Sequence, residues 1–454
     1  MSRSLKYRLM TFGCQMNEHD SERLAGMLEE MGYQEAPDPS GADVVILNTC
    51  TVRESAVEHV YGRLGELKRL KVERPGMVLG VCGCLPQQEG MAEALRRRAP
   101  HIDLVFGTHN LADFPALLRK VLEARQPLVA VCGDEGEIAE GLPRRSKDGL
   151  KAWVSITHGC DNYCSYCIVP YVRGRERSRR PEAVRREVEE LVDQGCREVT
   201  LLGQNVNSYG RDLDPRNAGG VGFAALLGDL RRSPGLWRIR FMTSHPRDFG
   251  PELIQALAAG GPVCEHVHLP MQSGSDSILE LMNRGYSARH YRDLIARIRA
   301  AVPGVAVSTD IIVGFPGERD SDFAETIDLV REIRFDAAFT FIYSPRRGTP
   351  AASLPEQVPV EVKKDRIARL IDLQNTITRQ LNEGLVGRTV EVLAEGESAK
   401  NPGRAEGRAR SNRLVLFPGG AADRGRLVRV RVERAGTWVL HGQAESAPPL
   451  EGEG

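Results

Sequence analysis

Apolar and polar positions follow two rhythms along this chain, and the switch between them divides it. From residue 6 to 135, apolar runs at Tyr7–Phe12, Val44–Leu47, Met77–Val81 and Leu104–Phe106 alternate with stretches of helical spacing. Those stretches are Ser21–Met31, Glu54–Leu70, Gln87–Arg98 and Leu111–Leu122. Strand and helix in alternation predict βαβ units and a parallel sheet in this α/β N-terminal domain, residues 1–135. Residues 136–150 are polar with Gly, Pro and Arg, the composition of a linker.

The strand–helix rhythm resumes over 151–383. Strands are expected at Ala152–Thr157, Val199–Leu202, Arg238–Met242, His266–Leu269, Val305–Ile312 and Ala338–Ile342, with helices from Pro181–Gln194 to Val360–Glu383. Parallel strands with right-handed helical crossovers predict a partial or full (β/α) barrel. At Gly384 the helical period stops. Short alternating runs at Thr389–Leu393, Arg413–Phe417, Leu427–Val432 and Thr437–Leu440 predict a small antiparallel barrel or sandwich over 384–446. The tail, 447–454, is rich in Pro, Glu and Gly and is expected to be disordered.

Composition narrows the function. In 454 residues, 61 Lys and Arg balance 61 Asp and Glu, so no global field draws the chain to nucleic acid. Between Gly384 and His441, however, Arg and Lys outnumber the acids, and small barrels commonly bind RNA through such a face. No apolar run reaches the roughly 18 residues a membrane helix needs, and Met1–Arg8 lacks the apolar core of a signal peptide. The 10 cysteines therefore read as ligands or catalysts in a reducing, cytoplasmic compartment.

Three of them, Cys160, Cys164 and Cys167, form a C-x₃-C-x₂-C run just after the first barrel strand. Thiolates suit iron–sulfur clusters, and three of them leave one iron of a four-iron cluster open to a small molecule. A second trio is separate in sequence. Cys14, Cys50 and Cys84 each follow a strand of the N-terminal sheet, where sites in parallel sheets gather. Cys82 lies two residues from Cys84 and competes with it, but Cys84 opens the loop and is favoured. Cys132, Cys196 and Cys264 are isolated and expected to be buried thiols. Polar motifs at barrel strand ends, Gly203–Asn207, Thr243–Pro246, Gln272–Asp276 and Gly314–Glu318, are suited to a polar cofactor. The run Arg173, Arg175, Arg177, Arg179 and Arg180 either contacts phosphate or pairs with Glu176, Glu182 and Glu187.

The cysteine run resembles that of radical S-adenosylmethionine (SAM) enzymes, Tyr166 before its third cysteine included. Over nearly its whole length the chain resembles the radical-SAM methylthiotransferase family, whose order is a three-cysteine domain, a radical-SAM barrel and an RNA-binding TRAM domain. The residues that carry this are Gly13–Asn17, Asn48–Cys50, Gly83–Gln87, Pro170–Gly174, Gly203–Asn207, Thr243–Pro246 and Phe315–Glu318. Pro86 stands where the family usually has a small residue.

The resemblance implies two [4Fe-4S] clusters, one on Cys14, Cys50 and Cys84 and a SAM-cleaving one on Cys160, Cys164 and Cys167. It supports Cys84 over Cys82. It suggests Tyr166, Gln204, Asn205, Gln272 and Ser273 for SAM, and Arg404, Arg410 and Arg413 for RNA. It also implies a monomer that needs an external electron donor and a sulfur source. The substrate would be an isopentenylated adenosine in a tRNA anticodon stem-loop. Rival substrates are threonylcarbamoyladenosine or a ribosomal-protein aspartate. A different class of reading is a non-catalytic RNA-binding protein with zinc-filled cysteines.

Overall fold

A computed structural model describes residues 4–51, 54–133, 138–146, 148–213 and 221–445. The expected disordered tail lies outside them.

The N-terminal sheet is entirely parallel, with strands β1 (Lys6–Thr11), β2 (Gln34–Glu35), β3 (Val44–Thr49), β4 (Val78–Gly83), β5 (Leu104–Phe106) and β6 (Leu128–Ala130). Their order is β2-β1-β3-β4-β5-β6. Every residue of β3 and β4 is buried, because helices cover both faces; such strands read as continuous apolar runs. The order reverses at β1/β3, and ligands of doubly wound sheets bind at that reversal.

The central unit adds β7 (Lys151–Ser155), the short pair β8 (Thr157–His158) and β9 (Arg177–Ser178), β10 (Glu198–Leu202), β11 (Arg238–Phe241), β12 (His266–His268), β13 (Ala306–Val313) and β14 (Ala337–Ile342). Two parallel three-stranded sheets, β7-β10-β11 and β12-β13-β14, are joined by a parallel bridge from Ile239 to Val263. β7 and β14 are the outer strands, so the barrel is partial. Alternate side chains divide its two faces. Val154, Ile156, Leu201, Phe241, Val307 and Ile311 pack outward into the helix-covered core. The intervening residues, Ser308, Asp310 and Ile312 among them, face the inside.

The C-terminal strands β15 (Thr389–Glu397), β16 (Arg404–Ala409), β17 (Leu414–Pro418), β18 (Leu427–Ala435) and β19 (Val439–Ala444) close into a barrel, ordered β15-β16-β17-β19-β18. Sequence patterning missed β16, because its inward positions are Ala405, Gly407 and Ala409, too small to register as an apolar stripe. The size is required: a Cβ on Gly407 would stand 2.2 Å from the Leu393 carbonyl oxygen.

Guanidinium groups fix this barrel against the central one. Arg238, fully buried, donates to the Arg408 carbonyl at 2.6 Å and to Glu391 at 2.9 Å. Arg240 donates to the carbonyls of Arg410 and Ala409, both at 2.8 Å, and pairs with Glu198 at 3.1 Å.

Candidate functional site

The strand-end trio stands at the topological switch of the first sheet. Cys14 ends the loop after β1 and caps the helix Gln15–Glu30, Cys50 follows β3, and Cys84 follows β4. A lattice of amides holds the loops in register. Asn17 donates to Asn48 Oδ1 at 3.0 Å and to the Thr49 carbonyl at 3.2 Å. Asn48 returns a bond to the Asn17 carbonyl at 2.8 Å.

Two glycines let these backbones approach. Gly13, at φ +147°, would put a Cβ 2.7 Å from Cys50 Cβ, and Gly83, at φ +97°, one 2.4 Å from the Thr49 carbonyl oxygen. The Cys84 thiol lies close enough to those of Cys14 and Cys50 to feel their charge. Burial pushes the Cys84 thiol up to about 12, while Arg173 pulls it the other way. Cys82 is different: it is a member of the apolar core with Leu104 and Phe106.

The loop trio is held by its neighbours. Gly159, at φ +74°, lies against the chain at Gly174 and Arg175, where a Cβ would meet the Arg175 carbonyl oxygen at 2.0 Å. The Cys160 amide donates to the Gly174 carbonyl at 3.1 Å. Ser165 anchors the middle, its hydroxyl donating to the Leu281 carbonyl at 2.6 Å and its amide to the Met282 carbonyl at 3.0 Å. Burial raises Cys160 and Cys167 to about 12. Thiolates must form to bind metal, so bare burial opposes loading and a nearby cation favours it.

Each trio has such a cation. Arg173 donates Nε to Cys84 Sγ at 3.3 Å and pairs with Asp20 at 2.8 Å. Arg284 donates to Cys164 Sγ at 3.2 Å and reaches the Tyr166 hydroxyl at 3.5 Å. Both arginines are buried. Sequence reasoning did not find Arg284, which belongs to no motif, or Ser165, which lies between two ligand cysteines and drew no separate notice. It left Arg173 among five arginines. Of these, Arg173 turns inward, Arg175 pairs with Asp161 at 2.9 Å and Arg179 with Glu140 and Glu187, both at 2.5 Å.

The two trios adjoin. Cys84 packs with Ile168 and Val172, and Ile168 directly follows Cys167. Thr108 donates to the Val172 carbonyl at 2.7 Å across the same seam. Behind it, Arg144 joins Glu22 of the first domain at 2.5 Å to Glu187 of the barrel at 3.1 Å.

Among the described residues no group of three His, Cys, Asp or Glu side chains converges tightly enough to hold one metal ion. A tetrahedral zinc needs sulfurs about 2.3 Å from a single centre. A four-iron cluster takes one thiolate on each of several irons.

Around the barrel rim several buried oxygens have no hydrogen-bond partner: Thr157 Oγ1, Gln204 Oε1, Asn205 Oδ1, Ser244 Oγ and Gln272 Oε1. Buried polar atoms are normally satisfied, so this rim has acceptor capacity for a polar ligand. Two polar groups nearby are engaged. Asn205 Nδ2 donates to Asp248 at 2.8 Å, and the Ser273 hydroxyl meets Thr326 Oγ1 at 3.3 Å. The basic residues of the small barrel divide as well. Arg410 pairs with Glu265 at 2.7 Å and Arg413 with Asp336 and Asn382, while Arg404 keeps a buried Nε without a partner.

Comparison with known proteins follows the three units. Residues 6–107 match the uncharacterized protein family UPF0004, 154–330 the radical SAM superfamily and 384–444 the TRAM domain. A tRNA-2-methylthio-N(6)-dimethylallyladenosine synthase of Moorella thermoacetica is 53% identical over 437 residues, covering 96% of this chain and 98% of that protein. Its counterpart in Carboxydothermus hydrogenoformans is 51% identical over 436 residues, covering 96% and 98%. Among solved structures, the radical S-adenosylmethionine methyltransferase TsrM of Kitasatospora setae, with cobalamin and a [4Fe-4S] cluster bound, shares the fold. The TM-score is 0.57 at 18% identity, over 77% of each chain.

Proposed function

This chain belongs to the family of tRNA-2-methylthio-N(6)-dimethylallyladenosine synthases, and from that premise we propose how its residues divide the reaction. It is a radical-SAM methylthiotransferase that uses two [4Fe-4S] clusters and SAM to place a methylthio group on carbon 2 of N6-dimethylallyladenosine in tRNA. When bound, these groups would supply the methyl, a place to hold the sulfur, and a radical able to activate an aromatic C–H bond, chemistry beyond acid–base side chains.

The protein contributes position and electrostatics. Cys14, Cys50 and Cys84 hold the auxiliary cluster, and Cys160, Cys164 and Cys167 the SAM-binding one. Arg173 and Arg284 each offset the negative charge of a thiolate where water is excluded. Gln204, Asn205 and Gln272 accept hydrogen bonds from SAM through their unpartnered oxygens. Ser273 braces that loop against Thr326, and Tyr166 closes the site beside Cys167.

The observation that carries the two-site arrangement is the contact of Cys84 with Ile168, which sets one trio against the other. A group held at the first site would then lie close to a substrate bound at the second, and proximity of this kind lowers a barrier entropically.

Residues 1–135 serve the auxiliary cluster, 151–383 the radical chemistry and 384–446 RNA docking, with 136–150 connecting the first two. Arg410 and Arg413 orient the small barrel, while Arg404 is available to phosphate. One chain builds both trios, so a monomer can carry the whole site. The substrate is an anticodon stem-loop in the cytoplasm, and an electron donor and a sulfur source are drawn from outside. Among the described residues no helix is long and apolar enough to cross a membrane.

The test is anaerobic reconstitution followed by nucleoside mass spectrometry on a dimethylallylated stem-loop. About eight irons per chain and a 2-methylthio product are expected. Zinc in place of iron, or product only on a ribosomal protein, would refute the assignment.

A further inference from the structure

The inside of the partial barrel carries an aromatic surface that neither the cysteine trios nor the rim motifs use. In the parallel pairing of β13 with β14, Asp310 lies opposite Phe339 and Ile312 opposite Phe341. Residues paired this way share a face. The face is the interior one, because Ile311 and Ala338, the alternates, pack into the helix-covered core. Phe339 is 52% exposed and Phe341 39%, high values for aromatic rings inside a barrel and on its last strand. Polar groups border them. His268 meets Phe339 edge-on at 5.8 Å between centroids, and His268 Nε2 stands 3.5 Å from Asp310 Oδ1. Exposed aromatic surface in a concave site marks a place where something apolar or planar binds.

Its position says what binds. Ile312, the partner of Phe341, packs in the same small cluster as Tyr166, next to Cys167. Tyr166 in turn is reached by Arg284, which donates to Cys164. The two rings and the SAM-cleaving loop therefore border the same small apolar cluster, on the side of the barrel where the reacting carbon of the substrate has to be.

We propose that Phe339 and Phe341 form the seat of the substrate base. The adenine, turned out of its loop, stacks on one ring and its branched apolar substituent lies against the other, while Asp310 accepts the N6–H. Enzymes acting on a base take it out of the stack and read it by aromatic stacking and edge contacts. Rings two residues apart on a strand sit about 7 Å from each other, a spacing that serves a purine and an adjoining five-carbon branch. The inference rests on the function proposed above and adds how that function selects a dimethylallylated base over a plain one.

The test compares two synthetic anticodon stem-loops, one with N6-dimethylallyladenosine and one with adenosine, on the reconstituted holoenzyme. Fluorescence anisotropy gives affinity, and product formation gives kcat and KM. Phe341→Ala and Phe339→Ala should each weaken binding of the dimethylallyl stem-loop roughly tenfold, as loss of a stacked base does. The preference for it over the plain stem-loop should shrink, with iron still about eight per chain. Phe341→Leu and Phe339→Leu, which keep apolar bulk and protect the fold, should retain selectivity for the branch but lose part of the affinity. Unchanged affinity, KM and selectivity in all four variants would overturn the seat. A wild-type enzyme that modifies neither RNA would instead overturn the substrate assignment.

Discussion

The two cysteine trios reach similar surroundings from opposite starting points. Cys14, Cys50 and Cys84 come from three strand ends spread over 70 residues of sequence, and the parallel sheet brings them together. Cys160, Cys164 and Cys167 come from one loop, and that loop takes its shape from contacts with residues far along the chain, Leu281 and Met282. The first trio is built at the strand ends of a buried parallel sheet. The second sits on a loop whose shape is set by its neighbours. Despite this, each includes a glycine at positive φ where a Cβ would collide, and each has one buried arginine donating to one sulfur.

The sharpest way to separate the sites is to remove one ligand from each. Cys160→Ala and Cys50→Ala should both cut iron from about eight to about four per chain. Their activities should then divide. Cys160→Ala abolishes deoxyadenosine formation, while Cys50→Ala keeps SAM cleavage but makes no methylthio product. Iron analysis with liquid chromatography of both products checks this, and equal loss of deoxyadenosine in both variants would merge the two sites into one function.

Next in size are the arginines, where the comparison becomes asymmetric. Arg173→Met leaves Asp20 buried without its partner, and a stranded buried charge costs about 3–5 kcal/mol. Arg284→Met strands no carboxylate; its partners are Cys164, Tyr166 and Tyr286, so a loss of about 1–3 kcal/mol is expected. Urea unfolding of the two variants measures the difference, and equal losses would contradict the pairing.

The same seam is acid-sensitive. Burial holds His19 down to about 4, below the ordinary histidine value near 6.5, so the unfolded chain takes up its proton first. Stability should be full above about pH 6.5 and fall as the pH drops toward 4. His19→Leu should flatten that decline, as read from unfolding midpoints across the range. Glu187, pulled down to about 2 by Arg179 against the effect of burial, adds a further loss below about pH 4.3.

How much of this was written in the sequence depends on which physical signal each part leaves. Buried apolar strands such as Val44–Thr49 leave a strong one, and so do the cysteines at their ends. The first helix left a weak one. It begins at Gln15, not Ser21, because Asn17, His19, Asp20, Glu22 and Arg23 are buried in a polar seam against the barrel and linker, which no hydrophobic periodicity reports. The resemblance suggested Arg410 and Arg413 for RNA. In the structure they are paired with Glu265 and Asp336, acids distant in sequence that only the fold brings near. Arg284 had no neighbouring motif to mark it.

The smallest expected effect bears on the finest distinction, that between Cys82 and Cys84. Both thiols are buried at the end of one strand, and alternation alone assigns them to the same face. What separates them is the backbone after Gly83. Its positive φ ends the strand and turns Cys84 into the short helix Cys84–Gln87, against Ile168 and Arg173, while Cys82 stays among Leu104 and Phe106. Cys82→Ala should therefore remove one small core group, costing about 1 kcal/mol, and leave about eight irons and full product. Cys84→Ala should lose the auxiliary cluster entirely. If iron content followed Cys82 instead, the strand-end trio would have to be redrawn around a thiol that faces the core, and the contact joining the two sites through Ile168 would lose its meaning.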